Sequence, residues 1–182
     1  MNEIVCVGWG SLIWCQKALP VAATWQPDGP SLPIEFARES KDKRITLVVC
    51  EGAPAVTTLW ARLNVETLDA ARAVLQTREG CRLEAIGCWS PDGVSRHAGA
   101  NVIGQWATER NFAGVVWTAL KPKFGGTYRT PTLDEVIEYL ACLEGSEKDT
   151  AEEYVRLTPR QIVTPYRTAI EGAMGWTPLG LV

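Results

Sequence analysis

Ile4-Val5-Cys6-Val7-Gly8-Trp9-Gly10-Ser11-Leu12-Ile13-Trp14 is the stretch on which the reading of this chain turns. Its first four residues are β-rich and apolar on every side, which predicts a buried first strand. Gly8 and Gly10 then break the strand and let a backbone approach something closely. A turn of this kind presents successive backbone N–H groups and the Ser11 hydroxyl in one place. Such donors suit a carboxylate or an amide oxygen. The stretch matches neither G-x-x-x-x-G-K-[ST] nor G-x-G-x-x-G, so a nucleotide phosphate is not its expected guest. Taken alone, it also fits a tight turn in the core.

Four prolines (Pro20, Pro27, Pro30, Pro33) and Gly29 mark residues 20–33 as loops and turns. Residues 45–50 and 55–63 read as the second and third strands. Residues 67–77 read as a helix with Leu68, Ala71 and Leu75 on one face and Gly80 as its stop. Residues 83–89 read as a strand feeding a turn at Pro91-Asp92-Gly93, with 100–106 as the returning strand. Residues 114–120 complete the strand set. Thr132-Leu133-Asp134-Glu135 is a capping box opening a helix through Val136, Ile137 and Leu140, which Gly145 should end. Thr158-Pro159-Arg160-Gln161 has the same pattern, and Thr164-Pro165 should open a final helix through Ile170. The expectation is a single α+β domain over residues 1–182, with a mixed sheet first and a mainly helical part from about 131.

Hydrophobic residues make up 46% of the 182 residues and charged residues 21%, an ordinary globular balance. A net charge of -3 argues against a phosphate-binding surface, so no nucleic-acid partner is expected. The six cysteines form no C-x-x-C pair, and no basic segment with a following apolar run opens the chain. These features predict reduced thiols and a cytoplasmic protein. No apolar run approaches the roughly 20 residues of a membrane span. His97 is the one histidine, so zinc sites with two or three His ligands are excluded and no metal is expected. A thiol enzyme would have to pair Cys81 or Cys15 with His97. That histidine sits in the polar stretch 91–97 and reads as a solvated residue of a hairpin turn.

Glu79 is the candidate that carries chemistry. It follows the predicted helix, next to Gly80 and amid Cys81 and Leu83. Partial desolvation there makes a carboxylate a better base near neutral pH. On residue type alone, Glu79 fits better a solvated helix end paired with Arg78 or Arg82, since most glutamates lie at the surface.

Gly8-Trp9-Gly10-Ser11-Leu12-Ile13-Trp14 after an apolar strand resembles the GYGSLIW signature of the ChaC-type γ-glutamylcyclotransferases, and its core resembles the YGS loop of the wider family. Downstream, Leu59-Trp60-Ala61-Arg62-Leu63, then Leu68-Asp69, then Arg78-Glu79-Gly80-Cys81 is similar to the family's order of strand, helix and Glu-Gly pair. Phe36, Arg38, Ser40 and Arg44-Ile45-Thr46 match the segment between. The resemblance covers roughly residues 4–90.

The resemblance implies a small mixed β-barrel or sheet flanked by helices, binding a γ-glutamyl small molecule. It implies that Gly8, Trp9, Gly10, Ser11 and Leu12 hold the glutamyl end. It implies that Glu79 acts as general base on the α-amine, which attacks its own γ-carbonyl. The products would be 5-oxoproline and the released amine, amino acid or peptide, with no metal or organic cofactor. One departure is visible: Trp9 stands where the family's loop has tyrosine. Indole donates one N–H and accepts nothing. The alternative on the same fold is a non-catalytic binding or regulatory protein, with Trp9 filling the site and Glu79 structural. Arg38 and Arg44 are candidate carboxylate clamps or structural ion pairs. Tyr128 lies in a polar loop that either covers a site or is solvated. Trp14, Trp25, Trp60, Trp89, Trp106 and Trp117 read as core or pocket walls.

Overall fold

Strand β1 (Ile4–Gly8) is buried along its whole length, as a strand that is apolar on both faces must be. It belongs to a computed structural model that describes residues 3–179. The chain continues through β2 (Ser31–Glu39), β3 (Ile45–Val49), β4 (Ala55–Thr57), β5 (Leu59–Arg62) and α1 (Leu68–Glu79). A 3-10 turn at Leu83–Ala85 leads to β6 (Ile86–Ser90), β7 (Gly93–Val94), α2 (Ala100–Glu109) and β8 (Gly114–Thr118). Helices α3 (Leu133–Ala141), α4 (Gly145–Leu157) and α5 (Pro165–Met174) follow. The class is α+β with a mixed sheet, as expected. The two sheets formed by the described residues are open, and neither closes into a barrel.

The chain divides into two compact units. One comprises Met1–Gly8, Cys15–Leu32 and Thr57–Leu120. The other comprises Trp9–Trp14, Pro33–Val56 and Lys121–Val182. Neither is a continuous stretch of chain.

The first unit is built on the five-stranded sheet β5-β1-β8-β6-β7. β1 runs antiparallel to β5 and parallel to β8, and β6 runs antiparallel to β8. Helix α1 packs on β8 and β6, and α2 packs on β6, β7 and β8. Thr67 caps α1 by accepting from the Ala70 amide at 3.1 Å. Gly80 ends α1 in the left-handed conformation (φ 60°), where glycine carries no Cβ penalty.

The second unit holds most of the sheet β3-β2-β4. Phe36 pairs Leu47 and Ile34 pairs Val49, with a register shift between Phe36 and Arg38. Its α3 carries the expected capping box. The Thr132 hydroxyl accepts from the Glu135 amide, and Glu135 accepts from the Thr132 amide at 2.8 Å. α5 is capped by Thr164, with Pro165 in its first turn, and runs past Ile170 to a left-handed Gly175.

Several expectations are corrected. Residues 55–63 form two strands in different sheets, broken at the fully buried Thr58, whose hydroxyl donates to the Pro30 carbonyl at 2.7 Å. Nine residues read partly as loop form β2, because Pro33 sits near the strand start, where its missing N–H is tolerated. Residues 100–106 are helical. Ala100, Ile103, Gly104, Trp106 and Ala107 are buried at a helical spacing, and only Gly93–Val94 returns along β6. Residues 83–85 form a 3-10 turn ahead of β6. Gly145 opens α4 rather than ending α3, which stops at Ala141. Residues 158–161 are a turn: Thr158 ends α4 and donates to the Tyr154 carbonyl at 2.9 Å.

Candidate active site

Helix α1 buries Ala71, Leu75 and Arg78. The spacing of three to four residues lays them along one face, so the last turn turns an arginine inward. The Arg78 side chain is 6% exposed and that of Glu79 is 14% exposed. Arg78 Nη1 donates to Glu79 Oε1 at 2.6 Å, and Nη2 donates to the Cys15 carbonyl at 2.5 Å. Glu79 is therefore the final helical residue, not one beyond it, and Arg78 is its partner. Its charge also reaches β1. Burial first, and the Glu79 carboxylate second, push the Cys6 thiol far above its ordinary range, with Arg78 acting in the opposite sense. Cys6 precedes Gly8 by two residues on β1, so the acid stands electrostatically beside the strand from which the glycine loop departs.

Gly8 and Glu79 belong to the first unit, and Trp9, Gly10, Ser11 and Leu12 to the second. Residues 11–14 form a turn closed by the Ile13 amide on the Gly10 carbonyl at 3.0 Å. Trp9 is 5% exposed and Leu12 6%, with Ser11 half-buried. The Trp9 indole N–H donates to the Leu47 carbonyl at 3.1 Å, a bond that suits a donor-only side chain. Leu47 lies on β3, an outer strand of its sheet. Outer strands leave main-chain groups without a strand partner, and the Leu47 amide finds one in the Tyr154 hydroxyl at 3.2 Å. Tyr154, on α4, also meets the Trp14 ring at 5.5 Å and the Phe36 ring at 6.2 Å.

Tyr154 and the inward turn of Arg78 escaped the sequence reading. The available signal for Tyr154 was the spacing of Ala151, Tyr154 and Val155, all buried. It lay in a segment where charged residues outnumber apolar ones. Arginine is seldom buried, so residue type alone points Arg78 to the surface.

Other candidates resolve into supports. His97 is half-buried rather than solvated. Its Nε2 faces the Glu84 carbonyl at 2.9 Å and its Nδ1 faces the Ser95 hydroxyl at 2.9 Å. A carbonyl only accepts, so Nε2 carries the proton. With both ring nitrogens engaged, His97 is not poised on a thiol. The six cysteines are unbridged. Arg44 pairs with Asp42 at 2.7 Å and lies over the Tyr154 ring, while Arg38 donates to the Lys121 carbonyl at 2.7 Å. Tyr128 is 75% exposed. Among the described residues, no group of three His, Cys, Asp or Glu could hold a metal ion, and no helix is long and apolar enough to cross a membrane.

Two solved structures of a yeast γ-glutamyl cyclotransferase specific to glutathione share this architecture. One is 14% identical with a TM-score of 0.51, covering 95% of this chain and 98% of that one. The other, labelled with selenomethionine, is 16% identical with a TM-score of 0.54, covering 97% of this chain and 98% of that one. The chain has a γ-glutamylcyclotransferase fold. No family model matches it, and no curated protein does. At these identities the likeness establishes the fold; residue roles rest on the local geometry and on the motif resemblance.

Proposed function

We propose that this protein is a γ-glutamylcyclotransferase-like enzyme of one domain, acting in the cytoplasm on a small γ-glutamyl molecule without metal, organic cofactor or nucleic-acid partner. Glu79 is the general base. It takes a proton from the α-ammonium of the γ-glutamyl group, and the freed amine attacks the γ-carbonyl of the same molecule. The new C–N bond closes the five-membered lactam. The old γ-amide C–N bond breaks, and the proton leaves with the departing amine. Gly8, Trp9, Gly10, Ser11 and Leu12 hold the glutamyl end. Nucleophile and electrophile arrive tethered, so the protein need only fold the substrate, move one proton and steady an oxyanion. No histidine is required.

The observation that carries this reading is Glu79: a carboxylate largely out of water at the end of α1, in a chain of this fold. The test is 5-oxoproline release from glutathione, γ-glutamyl dipeptides, γ-glutamyl amines and N-ε-(γ-glutamyl)lysine, with Glu79→Gln run beside wild type. Turnover of one substrate that vanishes in the variant supports the reading. A variant retaining full turnover removes Glu79 as base.

The Arg78–Glu79 pair favours a second reading, in which Glu79 is a structural acid of a non-catalytic binding protein. It predicts no 5-oxoproline from any substrate and a variant that is chiefly less stable.

A further inference from the structure

We propose that Tyr154 is a positioning residue of the Trp9–Trp14 turn: its hydroxyl occupies the space a side chain at residue 10 would need. From helix α4 it thereby fixes the backbone of the turn at residue 10. This rests on the reading that the turn holds the γ-glutamyl end of the substrate.

Three observations converge. A Cβ built on Gly10 would lie 2.5 Å from the Tyr154 hydroxyl oxygen, a separation that real Cβ atoms essentially never show, whereas the next atom, Cζ, would be at 3.5 Å, an ordinary contact. Glycine at residue 10 is thus required by one atom of one distant side chain, not by its own backbone angle. The peptide groups of Leu47 also hold both aromatic partners of the turn. Its carbonyl accepts from the Trp9 indole at 3.1 Å, and its amide donates to the Tyr154 hydroxyl at 3.2 Å. A donor-only indole and an accepting phenol divide the two polarities of one outer-strand residue. Finally, the Tyr154 ring is fixed on several sides. Trp14 and Phe36 meet it edge-on, and the Arg44 guanidinium lies 5.3 Å from its centroid. A phenol held this firmly sets the turn's backbone rather than following it.

The experiment is a double-mutant cycle on Gly10→Ala and Tyr154→Phe, read by thermal unfolding and by steady-state kinetics on the best substrate of the panel. Gly10→Ala should lower Tm by about 5 °C, the scale of overpacking a buried site in a chain of this size. It should also reduce kcat/KM by at least about tenfold. Tyr154→Phe keeps the ring and removes the hydroxyl. A turn that binds substrate and transition state alike then predicts KM raised about tenfold with kcat within about threefold. In the double variant the clash is gone, so the Gly10→Ala penalty should largely disappear in both readouts. Additive losses in Tm, or an unchanged KM in Tyr154→Phe, would overturn the inference. A wild type inert on every substrate would overturn the enzyme reading and the substrate-holding half of this inference. The thermal cycle would still decide whether the hydroxyl and residue 10 compete for one space.

Discussion

Two carboxylates in this chain are largely withdrawn from water, and they are held in opposite ways. Glu79 closes α1 with a guanidinium at 2.6 Å, and that guanidinium is anchored in turn on the Cys15 carbonyl. Glu35, on β2 and 3% exposed, is held by neutral donors: the Phe36 amide at 2.8 Å, the Thr164 hydroxyl at 2.5 Å and the Tyr166 amide at 3.3 Å. Burial raises the Glu35 carboxyl above its ordinary range, and the bonds from Thr164, Phe36 and Tyr166 only partly offset that. Thr164 caps α5, so Glu35 ties a strand to a helix N-terminus, where the helix dipole favours negative charge. Dipoles alone suffice for an acid whose task is to join two elements.

The contrast is tested most sharply by function. Glu79→Gln should lower turnover by roughly 10²–10⁴-fold, the contribution of a positioned base, while 5-oxoproline release from Glu35→Gln stays measurable. Equal losses in the two variants would erase the distinction. Next in size is Arg78→Met. It leaves the Glu79 carboxylate and the Cys15 carbonyl without their shared donor, and one-sided removal of a buried ion pair costs about 3 kcal/mol or more. Urea unfolding reads this directly, and a change below about 1 kcal/mol would mean that water replaces the guanidinium.

Glu35→Ala strands the Thr164 hydroxyl and two amides and should cost about 2–3 kcal/mol, since an orphaned buried donor is worth about 1–3 kcal/mol. Its pH signature has a definite sign. The folded-state pKa lies above the unfolded value near 4.5, so within that window the folded state binds more protons than the unfolded state. Stability from this group is present below the unfolded pKa and is lost as pH rises through the folded one. The slope cannot exceed about 1.4 kcal/mol per pH unit for one proton. Denaturation midpoints across this range should fall with rising pH in wild type and lose that component in Glu35→Gln. A variant with the wild-type slope would assign it to another group.

The same contrast explains what could be read from the sequence and what could not. β1 was legible because five consecutive buried residues leave no alternation to misread. The capping boxes at residues 132 and 158 look alike, yet only the first opens a helix. The Thr158 hydroxyl is taken by the carbonyl of Tyr154, four residues back, so it ends α4 instead. α2 was misread as a strand because a turn at residues 91–93 made a hairpin the simplest continuation. Of the site, Glu79 and the glycines were visible as residue types. The Arg78 anchor and the Tyr154 contact were not, and neither was the Glu35 cluster outside the site, because each joins positions far apart in the chain. Glu35 and Thr164, for example, are 129 residues apart.

A third carboxylate separates the two variables, burial and an arginine partner. Glu135 has its arginine, Arg129, in a two-pronged pair at 2.6 and 2.8 Å, but it sits at the surface. Hydrogen bonds from Arg129 first, and from the Thr132 amide second, pull its carboxyl down to about 2. With the folded pKa depressed, any stability it confers is present above the unfolded pKa near 4.5 and is lost as pH falls towards about 2. Solvent and salt screen an exposed pair, so its effect on stability should be the smallest of those considered. An NMR titration of the Glu135 carboxyl should show a midpoint that moves upward in Arg129→Gln while the unfolding midpoint at neutral pH barely changes. A large loss of stability there would mean that pairing with arginine, not burial, sets the worth of a carboxylate in this protein. The Arg78 prediction would then have to be read through charge alone rather than through desolvation.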